Sequence, residues 1–238
     1  MRFASSILAL ACGAVACLAD TPTLRIKMQV DDTMKTYDVT DIERLQFTGP
    51  AGQSGGESTG AARTNAPAAE GLPESPVRVV IYEDLQCSDC AAFRRMMDEK
   101  LLPRYAGKVA FVHRDFPLAK HVWARRAAIA ARFFTDRRPE LGLEYRRYAM
   151  AGHEVTDDSN FNKRLAAFAQ AHDIAPDAAV AALTDARYAE AVDRDYRDGV
   201  SRGVVHTPTV FVNGKPYIET FTFEEISKGI DEALVEAH

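Results

Sequence analysis

Residues 77–90 read VRVVIYEDLQCSDC, and the reading of that stretch decides the fold. Residues 77–82 are a β-branched run of the kind found in a strand buried on both faces. After the second cysteine comes AAFRRMMDEKLLPRY, in which Phe93, Met96, Met97, Leu101 and Leu102 mark a helical stripe. Cys87 and Cys90 therefore open a helix. A thiolate at that position faces unsatisfied backbone N–H groups and the positive end of the helix dipole, which lowers its pKa and makes it a nucleophile near neutral pH. Residues 108–113, KVAFVH, read as a second strand and complete a βαβ unit.

A lone Cys-x-x-Cys pair is also half of a structural zinc site. The chain has no second such pair, and its six histidines, at 113, 121, 153, 172, 206 and 238, include no close His-x3-5-His spacing. A zinc knuckle and a permanent structural disulfide remain the lesser readings, and a loop this short holds little closure entropy for a structural bond. The other informative stretch is residues 203–216, GVVHTPTVFVNGKP. Residues 210–212 read as a strand, Asn213-Gly214 as a two-residue hairpin turn and residues 217–218 as the return strand. Pro208 stands at the edge of that strand, where the missing N–H is useful or the bond is cis. A helix closes the chain from Thr222 through Leu234, with Thr222 and Glu225 at capping-box spacing.

Upstream, the chain reads as leader, small module and linker. Arg2 precedes an apolar stretch from residue 3 to 19, and Ala14, Ala16 and Ala19 suit signal-peptidase cleavage. Cys12 and Cys17 lie inside this expected signal peptide of residues 1–19; Cys17 is either lost with it or a lipidation site. Residues 20–47 read as a small β module, because Leu24, Ile26, Met28 and Val30 alternate with polar neighbours, Asp31-Asp32-Thr33 can turn, and Tyr37 and Val39 alternate again. Residues 48–76 are dominated by Gly, Ala, Ser, Thr and Pro and read as a disordered linker. The whole chain, at 238 residues with net charge -5 and pI near 5.7, offers no general electrostatic reason to hold polyanions, so no nucleic-acid partner is expected.

The two separated motifs together resemble the DsbA-like branch of the thioredoxin superfamily over roughly residues 77–238. Tyr82-Glu83-Asp84, Arg114-Asp115-Phe116-Pro117-Leu118, His121 and Ala124 agree with that resemblance. It implies an α/β thioredoxin fold with an inserted helical segment, here about residues 120–203, in which five stretches read as helices: 120–134, 140–150, 160–172, 176–188 and 189–203. It further implies that Cys87 is the exposed attacking thiolate, that Cys90 resolves the mixed disulfide, and that Thr207-Pro208 form a cis-proline loop offering backbone groups to an extended substrate. Neither metal nor organic cofactor is implied. The expected function is a dithiol–disulfide oxidoreductase exported to the periplasm or cell envelope. It would act on exported proteins bearing thiols or disulfides and be recycled by a membrane redox partner. An envelope reductase or isomerase, or a redox-inactive binding module, are the alternatives.

Three departures from the family pattern bear on the site. The intervening dipeptide is Ser88-Asp89, and a carboxylate at Asp89 opposes thiolate formation. His206 precedes Thr-Pro, either as a cation favouring the Cys87 thiolate or as a solvent-facing loop residue. Ile81 stands where thioredoxin carries a buried acid; Glu83 and Asp84 either take over that role or are solvated or capping residues.

Overall fold

A computed structural model of the chain describes residues 25–30, 33–38 and 68–237. The expected signal peptide with Cys12 and Cys17, the rest of the N-terminal module and residues 48–67 of the expected linker lie outside the described residues. The chain divides into two units after Gly56. In the first, β1 (Arg25–Val30) pairs antiparallel with β2 (Thr33–Asp38), Val30 opposite Thr33 and Arg25 opposite Asp38.

The second unit is built on a five-stranded sheet of order β3-β5-β4-β6-β7. Its centre is β4 (Arg78–Glu83), parallel to β5 (Ala110–Asp115) on one side and antiparallel to β6 (Thr209–Val212) on the other. β4 is the run recognised in sequence, and Val79, Ile81 and Tyr82 are fully buried, as a strand covered on both faces requires. β7 (Lys215–Ile218) returns from the Asn213-Gly214 turn, where both residues have positive φ, the geometry that favours Asn-Gly.

One strand departs from the sequence reading. β3 (Ala68–Gly71) lies in the stretch read as linker, yet it pairs antiparallel with β5, Ala68 opposite His113 and Gly71 opposite Ala110. The linker reading is therefore corrected from Ala68 onward. The stretch has no apolar periodicity because it is an edge strand held by charge: Glu70 accepts from Arg94 at 2.5 Å, sits 2.8 Å from His113 Nε2 and also meets Arg147.

Helices cover the sheet. α1 (Ser88–Met96) continues through a wider π turn, Met97–Leu101, into α2 (Leu102–Tyr105), and its stripe of Phe93, Met97 and Leu101 packs on Val79, Ile81, Phe111 and Val210. The insertion is α3 (Ala124–Arg137), α4 (Pro139–Ala151), α5 (Phe161–Ala171), α6 (Pro176–Ala181) and α7 (Ala186–Ser201). The stretch 176–188, read as one helix, breaks at Asp185, whose carboxylate caps α7 by accepting from Arg187 N–H at 2.9 Å. α8 (Phe223–Glu236) closes the chain with the capping box of Thr222 and Glu225 formed in full. Both Cys87 and Cys90 belong to the core of the insertion, with Leu85, Trp123, Ala127 and Phe134, so the helices that interrupt the fold also roof its cysteine pair.

α3 carries Ala127, Ala128, Ala130 and Ala131, all buried, which lets α4 approach closely. A Cβ on Gly142 of α4 would lie 2.9 Å from the Thr135 Cα and closer still to its hydroxyl. Gly142→Ala is therefore expected to lower stability by about 1–3 kcal/mol despite its better helix propensity, measured as a lower urea midpoint at constant m-value. An unchanged or higher midpoint would contradict this close approach.

Candidate active site

Cys87 is the residue before α1, extended at φ -75° and ψ 128°, and no side-chain cap covers the first turn. Its sulfur takes the place a capping oxygen would occupy. It lies 3.5 Å from the carbonyl oxygen of Thr207, and the Thr207–Pro208 peptide bond is cis. The resemblance implied this loop beside the cysteines, and the structure brings its backbone there. Thr207 is buried, and its hydroxyl has no hydrogen-bond partner among the described residues.

Both cysteines of the pair are free and both are buried, which corrects the exposed position expected for Cys87, yet the two thiols differ sharply. The Cys87 thiol is brought down to about 6, first by the Cys90 side chain that donates to its thiolate, against a cost from burial, and further by the backbone N–H groups of Cys90 and Asp89 and by Thr207. Burial pushes the Cys90 thiol well above its ordinary value, and the neighbouring Cys87 and Glu83 add to the rise. One sulfur is ready to attack at neutral pH and the other is held as a thiol.

The dipeptide acts through its backbone. Ser88 and Asp89 are exposed, so the Asp89 carboxylate faces water while its amide serves the Cys87 thiolate. His206 takes up neither Cys87 nor Cys90. Its side chain is 55% exposed and its Nδ1 lies 3.0 Å from Glu219 Oε1, so a carboxylate already answers any charge it carries. Of the two readings of His206, this placement favours the solvent-facing one.

Glu83 and Asp84, for which a solvated position was one reading, are both buried, and neither caps α1. Asp84 holds the cysteine loop in shape. Its N–H donates to Cys90 Sγ at 3.4 Å, Oδ1 accepts from Gln86 N–H at 2.7 Å, and Oδ2 accepts from Leu118 N–H at 2.7 Å and lies 2.8 Å from His121 Nδ1. Gln86 Oε1 accepts from Trp123 N–H, so the segment between β5 and α3 is stapled to the cysteine loop.

Glu83 belongs to a charge chain that sequence reading did not anticipate. Glu83 Oε1 lies 3.1 Å from His113 Nδ1 and accepts from Arg146 at 2.9 Å. Arg146 also donates to Asp115 at 2.5 Å, Asp115 accepts from Arg132 at 2.5 Å, and Arg132 meets Asp195. Each of these groups is nearly inaccessible to solvent. Burial alone would raise the carboxyls of Glu83 and Asp115, but the cations beside them overcome it and hold both below the ordinary range. Burial likewise disfavours the His113 cation, yet Glu83 and Glu70 on its two nitrogens raise its pKa overall.

The profile of the family described as Thioredoxin matches residues 64–232. The chain belongs to the thioredoxin family. Among solved structures this thioredoxin-family chain is similar to Wolbachia pipientis alpha-DsbA1, at 19% identity and a TM-score of 0.63 over 72% of this chain and 92% of that one. It is also similar to BdbD from Bacillus subtilis, at 22% identity and 0.62 over 71% and 93%, and to Chlamydia trachomatis DsbA, at 21% and 0.58 over 69% and 90%. At these identities the likeness establishes the fold, a DsbA-like thioredoxin fold with the helical insertion. No curated protein sequence matches the chain.

Proposed function

We propose that the chain is a protein dithiol–disulfide oxidoreductase working through Cys87 and Cys90. The observation that carries the reading is the asymmetry of the pair: an activated Cys87 thiol beside the Thr207 carbonyl, and a buried Cys90 thiol one helical turn inside. In the oxidising direction a client thiolate attacks Cys87 of the Cys87–Cys90 disulfide, and the Cys90 thiolate leaves. A second client thiolate then attacks the client sulfur of the mixed disulfide, so the client gains a disulfide and the pair ends as two thiols. Thr207 offers its backbone to an extended client.

The low Cys87 pKa argues for oxidation, because stabilising the thiolate stabilises the reduced protein and makes its disulfide the stronger oxidant. The value of about 6 lies between thioredoxin, near ~7, and DsbA, near ~3.5. The reduction potential is accordingly expected between about -270 and about -120 mV. Equilibration with glutathione checks it, and a potential below that of thioredoxin would overturn the oxidase assignment. The reading itself is tested by catalysed reduction of insulin by dithiothreitol, which the wild type accelerates and Cys87→Ala does not.

Thiolate absorbance supplies a further test. The wild type is expected to titrate with a midpoint near 6, and Cys90→Ala at a higher midpoint, because the Cys90 side chain is the largest contribution to the lowering. Asp89→Asn and His206→Ala should each move the midpoint less than Cys90→Ala does. A larger shift in either would restore a tuning role to that side chain.

The setting proposed is the periplasm or cell envelope, from the apolar stretch after Arg2, with exported proteins as clients and a membrane redox partner for recycling. Fractionation is expected to find the processed chain outside the cytoplasm. If Cys17 is lipidated, Cys17→Ser releases the protein from membranes.

A further inference from the structure

The rim of the cysteine site carries a charge pair that the thiol chemistry leaves unused. Glu219 follows β7, and its N–H donates at 3.0 Å to the carbonyl of Pro208, the residue after the Thr207 carbonyl that lies 3.5 Å from Cys87 Sγ. The Glu219 backbone is therefore within about 10 Å of the reacting sulfur. Its φ of 53° is left-handed, a conformation that a residue other than glycine adopts at a cost. Among the described residues its carboxylate meets one side chain, the imidazole of His206, whose Nδ1 lies 3.0 Å from Oε1. Asp89 borders the same side. It stands one turn before Phe93 on one face of α1, and Phe93 meets Phe221, two residues after Glu219, with ring centres 5.2 Å apart. The exposed Asp89 carboxylate has no ion pair among the described residues. The exposed Lys120 belongs to the segment anchored by Trp123 in the insertion core, whereas Phe221 packs on the other core, so Lys120 and Glu219 border the site from different sides.

From this arrangement we infer that Glu219 selects client segments carrying a lysine or arginine within about two residues of the reacting cysteine, and that His206 holds the place of that cation until a client arrives. The inference rests on the dithiol exchange proposed above and names the client class of the same site. An extended client lying along Thr207 advances about 3.4 Å per residue, so a long cationic side chain one or two positions from the cysteine reaches the Glu219 carboxylate. The imidazole yields because the pair is open to water on both sides, at 55% and 44% exposure, and such a pair holds weakly. A carboxylate in the same client position would meet repulsion from Glu219 and from Asp89. The bonds exchanged are unchanged: two client thiols become a disulfide, and the Cys87–Cys90 disulfide becomes two thiols. Glu219 enters none of them and acts on specificity alone.

Three dithiol peptides of one sequence test this, with Lys, Gln or Glu on both sides of the first cysteine. Each is mixed with the oxidised protein, and the single-turnover loss of the Cys87–Cys90 disulfide is followed by acid quench, alkylation and mass spectrometry. An exposed ion pair is worth a factor of roughly 1.5 to 5, and the Lys-to-Glu comparison gains an attraction and removes a repulsion. The wild type is therefore expected to prefer the Lys peptide over the Glu peptide on the order of tenfold at low salt, and about 0.5 M sodium chloride should remove most of that preference. Flanking charge also changes the peptide thiols themselves, so the decisive quantity is the change in preference between protein variants. Glu219→Gln should reduce the preference about fivefold, whereas His206→Ala, which frees the carboxylate, should increase it about twofold. A residue that only shaped the loop would slow all three peptides alike. A preference unchanged in Glu219→Gln, or unchanged or lowered in His206→Ala, overturns the assignment of Glu219. Failure of the wild type to react with any of the three peptides, the Gln peptide included, would overturn the dithiol reading itself.

Discussion

Cys90→Ala is expected to accumulate covalent adducts with client proteins, and Cys87→Ala to accumulate none. Cys87 stands before the first turn of α1, 7% exposed, with its thiol down near 6, so most of it is thiolate at neutral pH, while Cys90 is 1% exposed and held protonated. An attack by Cys87 on a client disulfide therefore proceeds in the Cys90→Ala protein, but the mixed disulfide has lost its intramolecular escape. The adduct should persist for as long as external thiol is absent, against a transient lifetime in the wild type. Non-reducing electrophoresis after alkylation reads the result directly. The loss of the Cys90 side chain also raises the Cys87 pKa, which slows trapping without preventing it. Equal trapping by both variants, or by neither, would contradict the assigned division of labour.

The parts of this site that were legible in the sequence are those written in local chemistry. The run before the cysteines is β4, the residues after Cys87 do form a helix, and Asn213-Gly214 does turn β6 into β7. Thr222 and Glu225 cap α8 as their spacing implies. In each case a few consecutive residues carry the whole instruction, through propensity, capping or a positive φ. The Thr207–Pro208 loop needed more: nothing within residues 203–216 says that its carbonyl stands beside a sulfur 120 residues earlier, and the resemblance of the whole arrangement supplied that.

What escaped was carried by charge at long range. Glu70 sits in a tract of small residues with no strand pattern, yet it fastens β3 to α1, α4 and β5 through three cations. Arg132, Arg146, Asp115 and Asp195 look in sequence like surface residues of amphipathic helices and a strand end. They are buried because each finds its counter-charge on a different element, a pairing that residue spacing does not encode. His206 could not be placed from its neighbours: its position before Thr-Pro allowed either the cysteines or solvent, and the side chain meets Glu219. Asp84 was legible as a candidate acid and His121 as a residue agreeing with a family pattern, but their contact across 37 positions needed the fold.

The same buried charges set the largest stability effect expected of this chain. Asp115 lies between Arg132 and Arg146, and all three side chains are 2% exposed or less. Asp115→Ala leaves two guanidiniums short of a partner in a dry interior, a change expected to cost about 3–5 kcal/mol, a large part of the stability of a typical domain. Asp158→Ala, which breaks the exposed pair with Arg126, should leave the urea midpoint almost where it was. The network also fixes how stability depends on pH. Glu70, Glu83 and Asp115 have folded pKa values below their unfolded ones, so their contribution is present above roughly pH 4 to 4.5 and is lost as acid protonates them. His113 is shifted upward, so its contribution is complete below its unfolded value of about 6.5 and fades as pH rises through the higher folded value. In the disulfide form, where Cys87 does not titrate, stability should therefore peak between about pH 4.5 and 6.5 and fall on both sides, and His113→Gln should flatten the alkaline arm while lowering the maximum. Urea midpoints measured from roughly pH 3 to 9 test this: an alkaline arm equally steep in wild type and His113→Gln would mean that the imidazole between Glu70 and Glu83 is not the group that titrates.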